Sequence, residues 1–173
     1  YFRSKGTAEK LVSQSGIPSS IIRTPILLGR GSAGTNSLKY ATAKDKTSIL
    51  GGGHYTMRPL DVDDLNNALT TLATKPATDT TTYELVGPET IAYRDLIKLA
   101  AEVQNKTIEV GSAPIWLAKI GSAISSIIKG GGMTPTVIDV ITMNEKVAVN
   151  ADAAIGIKLT PLRDTLSKIL TEK

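Results

Sequence analysis

The sequence predicts an α/β domain, because short β-rich runs alternate with helical patterns along its 173 residues. The β-rich runs are residues 19–29, 47–50, 81–87 and 107–111. The main helical patterns are residues 1–15, 36–46, 63–74 and 91–104. Apolar residues make up 41% of the chain, which is enough for a hydrophobic core. The strands are few and far apart, so we do not expect a full parallel sheet from this chain alone.

Capping residues and prolines predict where several elements begin and end. Gly16 is suited to close the first helix, and Asp61 or Asp63 to cap the helix at 63–74. Thr90 is suited to cap the helix at 91–104. Two Thr-Pro pairs, at 134–135 and 160–161, predict helices at 136–144 and 161–171.

An apolar helix is expected after Pro114. It carries Trp116 and isoleucines up to Ile128, and we interpret these side chains as core or oligomer packing. A substrate pocket and a membrane-facing surface are the alternatives.

Composition excludes several classes of site and partner. The chain has no cysteine and a single histidine, His54, which excludes disulfides, thiol nucleophiles and metal cages of several imidazoles. His54 itself is interpreted as a loop residue. The net charge of +4 comes from scattered lysines and arginines, so no nucleic-acid partner is expected. No apolar run reaches the roughly 20 residues of a membrane span, and no leader opens the chain, so we expect a cytoplasmic protein with a small-molecule substrate.

Tyr1 and Lys5 are the strongest candidates for chemistry. They are four residues apart on the first predicted helix and therefore share a face. A phenol is a poor base at neutral pH, but a nearby ammonium stabilises the phenolate and lowers its pKa. Such a pair can move a proton at a carbinol or carbonyl oxygen. A solvated helix face is the alternative interpretation.

Five blocks in order resemble the extended and atypical short-chain dehydrogenases/reductases, a family similar to NAD-dependent epimerases and dehydratases. The blocks are residues 1–9 (YFRSKGTAE), 15–29 (SGIPSSIIRTPILLG), 58–65 (RPLDVDDL), 83–96 (YELVGPETIAYRDL) and 134–162. The last block resembles most the branch that contains the nucleotide-binding accessory subunit of respiratory complex I. Together the blocks span nearly the whole chain, which makes the resemblance far more specific than any one block.

The resemblance implies the C-terminal part of a Rossmann-like NAD(P)-binding fold with a small substrate-binding subdomain, the N-terminal βαβ half being absent. Residues 1–50 would be the remnant of the Rossmann-like domain with its Tyr-x-x-x-Lys helix, and residues 51–173 a mixed α/β substrate-binding region. NAD or NADP is expected for the full-length protein and none for this chain alone. Exposed apolar edges should make the isolated chain self-associate.

The resemblance also implies roles for individual residues. Tyr1 would be the catalytic acid/base, and Lys5 would hold the nicotinamide ribose and tune Tyr1. The backbone of Thr24, Pro25 and Ile26 would lie against the nicotinamide.

Arg58 would meet a substrate phosphate. Two departures stand out: one extra residue separates Arg23 from Pro25, and Asp61 occupies a position where many relatives carry histidine.

Two functions fit this resemblance. The first is part of an NAD(P)-dependent epimerase, dehydratase or reductase that acts on a nucleotide-sugar or carbonyl substrate through Tyr1 and Lys5, and that is inactive alone. The alternative is a non-catalytic nucleotide-binding sensor or assembly subunit with the same fold.

Two other motifs are interpreted as structural. Residues 29–34 spell G-x-G-x-x-G, but the next predicted strand is followed by Gly51 and not by the acidic residue of a dinucleotide site. We interpret this segment as a flexible substrate-side loop. Asp61, Asp63 and Asp64 suggest a Mg²⁺ site, but their position before a helix favours capping.

Overall fold

Helices and strands alternate in the computed structural model, which describes residues 2–75, 77–116, 144, 147 and 149–171. The strands in this part of the chain are β1 (Ser20–Arg23), β2 (Leu27–Leu28), β3 (Lys46–Leu50), β4 (Thr56–Met57), β5 (Leu60–Asp61), β6 (Thr81–Glu84), β7 (Ile91–Ala92) and β8 (Glu109–Ala113). The helices are α1 (Phe2–Gln14), α2 (Ala33–Ala41), α3 (Val62–Thr74), α4 (Tyr93–Glu102), α5 (Asp152–Ile155) and α6 (Leu162–Leu170). A 3₁₀ turn, Gly51–Gly53, follows β3.

The strands form pairs, and most pairs are parallel. Pairs β1–β6, β2–β5 and β3–β8 are parallel, whereas β4–β7 is antiparallel. Parallel pairing needs long crossover connections, so the α/β prediction is confirmed. Within the described residues no sheet exceeds two strands, in line with the expected absence of a full sheet. Three pairs join strands on either side of residue 50, and the domain division there stays a prediction.

The β-rich run at 19–29 forms two strands instead of one. Strand β1 ends at Arg23, β2 begins at Leu27, and Pro25 lies between them. Proline has no N–H to donate to a ladder, so the strand is interrupted at this point. Helix α2 begins earlier than predicted, at Ala33, because the side chain of Ser32 accepts a hydrogen bond from Thr35 N at 3.2 Å.

Two predicted helix caps are wrong. Thr90 does not cap α4, because residues 91–92 form β7 and the helix begins only at Tyr93. The N-cap residue is Ala92, whose side chain makes no capping hydrogen bond. At α6 the N-cap is Pro161, because the hydroxyl of Thr160 donates to Asp64 Oδ1 at 2.8 Å instead. The carboxylate of Glu89 accepts from Leu162 N at 3.0 Å, so it satisfies a free donor of the first turn of α6 from a distant segment.

Buried side chains form two clusters. The larger one joins Leu28, α2, β3, α4 and the inner face of α6, with Leu38, Leu96 and Leu166 at most 1% exposed. The smaller one joins Leu60 and Leu85 to α3 and α5. Because α6 belongs to the larger cluster, the end of the chain is part of the core that supports β2.

Several predictions concern residues that the structure does not describe. Tyr1, the helix at 136–144 and most of the apolar helix after Pro114 lie outside the described residues. Among the helices that are described, none is long and apolar enough to span a bilayer.

Candidate functional site

Beyond Arg23 and Glu84, the continuations of β1 and β6 bond to residues 58–60 instead of to each other. The two strands pair in register from Ser20 with Thr81 to Arg23 with Glu84, and Leu85 N then donates to Arg23 O at 3.0 Å. Beyond this point residues 58–60 separate the two chains. Leu60 N donates to Ile26 O at 3.1 Å, and Gly87 N donates to Arg58 O at 3.0 Å. The carboxyl ends of parallel strands at a switch of partner are the usual ligand site of open α/β sheets.

Thr24, Pro25 and Ile26 lie at this switch of partner. They connect the last residue paired with β6 to the first residue paired with β5. Thr24 and Ile26 are exposed and Pro25 is half-buried, so the segment borders solvent. Three of the four predicted cofactor-contact residues therefore lie together at this edge; the fourth, Lys5, is on α1.

Arg58 lies at the same edge and is held by backbone oxygens. Its Nε donates to Gly87 O at 2.9 Å, and one terminal nitrogen donates to Pro88 O at 3.4 Å. The backbones approach so closely here that a Cβ on Gly87 would lie 1.8 Å from the carbonyl oxygen of Pro59. Only glycine fits at residue 87, and that glycine sets the orientation of the guanidinium.

Helix α1 is fixed beside β1 by an ion pair. Arg23 NH2 donates to Glu9 Oε2 at 2.7 Å, and its Nε lies 3.1 Å from Oε1. The hydrogen bond from Arg23 lowers the pKa of Glu9, and the pairing raises the pKa of Arg23. Lys5 is one helical turn before Glu9 and therefore on the same face of α1.

The three aspartates after Arg58 anchor α6. Asp61 is buried and accepts from Asp63 N at 2.9 Å, from Thr165 Oγ1 at 2.8 Å and from Lys168 Nζ at 2.6 Å. Asp64 accepts from Thr160 N at 2.7 Å. The capping interpretation is therefore confirmed for Asp61. Over the residues that the structure describes, no group of histidines and acidic side chains is arranged to hold a metal ion.

Lys168 is a supporting residue that the sequence interpretation missed. Burial opposes its charge, but hydrogen bonds to Asp61 and Asp63 outweigh that effect and raise its pKa. The sequence offered one signal for such a partner, namely Asp61 at a position where proteins of the resembled family often carry histidine. A carboxylate that becomes buried requires a cation or several hydrogen-bond donors.

The G-x-G-x-x-G segment is closed by its own side chains. Gly29 N lies 3.2 Å from Ser32 Oγ and 3.1 Å from Thr35 Oγ1, and Ser32 Oγ donates to Leu27 O at 3.0 Å. Thr35 is fully buried. The first glycine amide is thus occupied within the segment instead of facing a phosphate. The segment was interpreted as a flexible substrate-side loop, but its last two residues already belong to α2, and its place on the substrate side stays a prediction.

A second recess, absent from the sequence interpretation, lies on the other side of α2. This cleft has a volume of about 480 Å³ and is formed by α2, β3 and two stacked tyrosines, Tyr55 and Tyr93. Their ring centroids are 5.6 Å apart and the planes meet at 17°. Burial, and then the neighbouring Tyr93, raise the pKa of Tyr55 to about 12, and burial raises the pKa of Tyr93. Next to this pair, Arg94 on α4 donates to Nε2 of the loop residue His54 at 3.0 Å.

Comparison with solved structures identifies the fold. Triphenylmethane reductase from Citrobacter sp. superposes with a TM-score of 0.68 at 19% identity, over 95% of this chain and 57% of that one. The Thermotoga maritima UDP-glucose 4-epimerase, solved with UDP-glucose, gives 0.66 at 13% identity, over 98% and 50%. The chain has the Rossmann-like fold of these proteins. The human epimerase family protein SDR39U1, solved with NADPH, gives 0.67 at 15% identity, over 89% and 48%.

The match covers this chain almost completely but only about half of each solved chain. The fold prediction, a part of a Rossmann-like NAD(P)-binding fold, is thereby confirmed. No family model and no curated protein sequence matches the chain.

Proposed function

We propose that this Rossmann-like chain supplies the substrate-side part of an NAD(P)-dependent epimerase, dehydratase or reductase that acts on a nucleotide-sugar or carbonyl substrate. The observation that supports the proposal is the arrangement at the carboxyl end of β1, where residues 58–60 lie between the continuations of β1 and β6. The segment 24–26 and the backbone of residues 58–60 lie side by side there, and the Arg23–Glu9 ion pair links β1 to α1, the helix that carries Lys5. The solved epimerases and reductases of this fold support the same class of activity.

In this proposal Tyr1 transfers the proton at the substrate oxygen. Lys5 stabilises the phenolate of Tyr1 and holds the nicotinamide ribose. Arg58, oriented by the carbonyl oxygens of Gly87 and Pro88, binds a substrate phosphate. A bidentate guanidinium is suited to phosphate, and its orientation is fixed before substrate arrives.

The residues present fit one side of a nicotinamide cofactor. The exposed backbone of residues 24–26 offers an edge against which a flat ring can lie, and Lys5 supplies a cation on the adjacent helix. NAD or NADP would supply hydride transfer. The glycine-rich phosphate site is proposed to lie outside this chain, because the G-x-G-x-x-G segment at 29–34 is closed by Ser32 and Thr35.

The test is expression from the natural reading frame, including any sequence encoded before Tyr1, next to the 173-residue chain itself. NADH and NADPH binding is measured by fluorescence, and turnover on UDP-glucose and on small carbonyl compounds by absorbance of the reduced cofactor. The longer protein should bind a cofactor that the chain alone does not bind. Tyr1→Phe should lower kcat by about 10²- to 10⁴-fold and leave cofactor binding intact.

Lys5→Met should weaken cofactor binding and lower kcat, whereas Lys10→Met, on another face of α1, serves as the matched control. Full activity in Tyr1→Phe would refute the acid/base assignment. Cofactor binding without turnover on any substrate would instead favour the sensor or assembly subunit.

A further inference from the structure

The cleft between α2, β3 and the Tyr55–Tyr93 pair differs in chemistry from the surroundings of Arg58 at the carboxyl end of β1. Its walls are the α2 residues Asn36, Ser37 and Tyr40, the strand residues 47–50, and the two stacked phenols. Its volume, about 480 Å³, lies within the usual range for small-molecule sites. The cleft is therefore large enough for a ligand of two fused rings.

Among the described residues that line this cleft, none carries a formal charge. The lining consists of apolar groups such as Ile49 and Leu50, together with hydroxyl and amide groups. Arg94 directly follows Tyr93, but its guanidinium is engaged with His54, which is not part of the lining. An anionic ligand would thus lose its hydration in this cleft without gaining an opposite charge, which is costly.

The tyrosine pair offers a flat aromatic wall. An interplanar angle of 17° at 5.6 Å is an offset stack, and such a stack can be extended by another ring. At neutral pH a tyrosine hydroxyl is protonated, so Tyr55 and Tyr93 can each donate a hydrogen bond. Tyr40 is 86% exposed and stands at the rim, where a third phenol is available to a ligand that enters.

We infer that this cleft binds an uncharged planar aromatic molecule, stacked against the Tyr55–Tyr93 pair and hydrogen-bonded by the surrounding hydroxyl and amide groups. The cleft is near the proposed catalytic residues along the chain, since α2 follows segment 24–26 and Tyr55 precedes Arg58 by three residues. The inference that the bound molecule is the aromatic part of the substrate rests on the proposed function. The inference that the cleft binds such a molecule at all rests only on residues of this chain.

The test compares two probes of the same shape on the chain without any cofactor. Binding of 2-naphthol and of 2-naphthalenesulfonate is followed by probe fluorescence. We expect saturable binding of 2-naphthol and at least about tenfold weaker binding of the sulfonate, because its charge finds no partner. Tyr93→Leu should weaken 2-naphthol binding by about 2- to 10-fold, the range of an aromatic pair. Tyr83→Phe, outside the cleft, should leave binding unchanged.

Tyr93 also packs on the larger core cluster, so a second variant keeps the test independent of its folding. Ser48 is exposed on β3 and lines the cleft. Ser48→Arg should strengthen sulfonate binding by about tenfold or more and leave 2-naphthol the same or weaker. Equal affinity of wild type for both probes, or an unchanged preference in Ser48→Arg, would overturn the inference.

The two proposals fail separately in these experiments. Probe binding without cofactor binding in the longer protein would keep the cleft and remove the proposed function. Cofactor binding and Tyr1-dependent turnover without probe binding would support the proposed function and rule out the cleft as a binding site. Displacement of bound 2-naphthol by UDP-glucose would assign the cleft to an anionic nucleotide-sugar and overturn the uncharged class.

Discussion

Loss of the charge on Lys168 is the sharpest test of how the candidate site is supported. Asp61 follows the Arg58 segment, its side chain is 0% exposed, and it accepts from Thr165 Oγ1 and from Lys168 Nζ at 2.6 Å. Lys168 is 32% exposed and also contacts Asp63 at 2.8 Å. Lys168→Met keeps most of the aliphatic stem and its packing, so the change is mainly electrostatic.

Breaking a buried ion pair by removing one partner costs about 3–5 kcal/mol. Because Lys168 is one-third exposed, water can replace part of its contribution, and we expect a loss of about 2–3 kcal/mol in the free energy of unfolding. For a chain of this size that corresponds to a Tm lowered by about 4–12 °C. The denaturant slope should stay the same, since the change does not alter the surface exposed on unfolding.

The assay is urea denaturation followed by circular dichroism. Lys46→Met is the matched control, because Lys46 pairs with Glu109 in a bridge whose side chains are 77% and 69% exposed. That control should cost less than about 0.5 kcal/mol. In Asp61→Asn combined with Lys168→Met, the cost should be smaller than the sum of the single changes by about 1.5–3 kcal/mol. A cost for Lys168→Met no greater than that of Lys46→Met would refute the reasoning.

The effect also has a pH signature with a defined sign. The pKa of Lys168 is raised in the folded state. The stabilisation from the charged lysine is therefore complete at pH values below the ordinary lysine pKa of about 10.4. The contribution is lost as pH rises through the raised value. The difference in stability between wild type and Lys168→Met should therefore shrink only above about pH 10.

Three further predictions concern single positions. Gly87→Ala should lower the free energy of unfolding by about 3 kcal/mol in urea denaturation, since a Cβ would lie 1.8 Å from Pro59 O. The pKa of Tyr55, about 12, exceeds that of a free phenol, so the unfolded chain ionises first and stability should fall between about pH 10 and 12; Tyr55→Phe should flatten that fall in alkaline denaturation. Leu11 is 65% exposed on α1, and Leu11→Glu should reduce the self-association proposed for the isolated chain, as measured by sedimentation.

Each of these changes has a matched control in the same chain. Gly111→Ala should be tolerated, because a Cβ there would be 3.6 Å from its nearest neighbour, and an equal loss at both glycines would contradict the contact argument. Tyr40→Phe, at an exposed tyrosine, should leave the alkaline fall in place. Leu69→Glu, at a half-exposed position of α3, should not change the sedimentation behaviour. A chain that sediments as a monomer before any substitution would argue against self-association.

Local patterns in the sequence determined the class of fold and most of its elements. The β-rich run at 47–50 predicted β3, and the alternation at 81–87 predicted β6. The apolar spacing at 1–15 predicted α1, although Leu11 and Val12 of that helix are exposed in the structure. Asp61 was predicted as a helix cap because a cap needs only its own next two residues. The order of five motif blocks also predicted the Rossmann-like fold found in the solved structures.

Contacts between distant segments were decided only by the tertiary structure. Residues 58–60 lie between the continuations of β1 and β6, and no local signal specifies that insertion. The first turn of α6 is satisfied by Glu89, 73 residues away, and the carboxylate of Asp61 is paired with a lysine 107 residues away. The cleft beside α2 likewise needs Tyr55 and Tyr93 to stack. Burial makes such partners obligatory, but which residues become partners depends on how the whole chain packs.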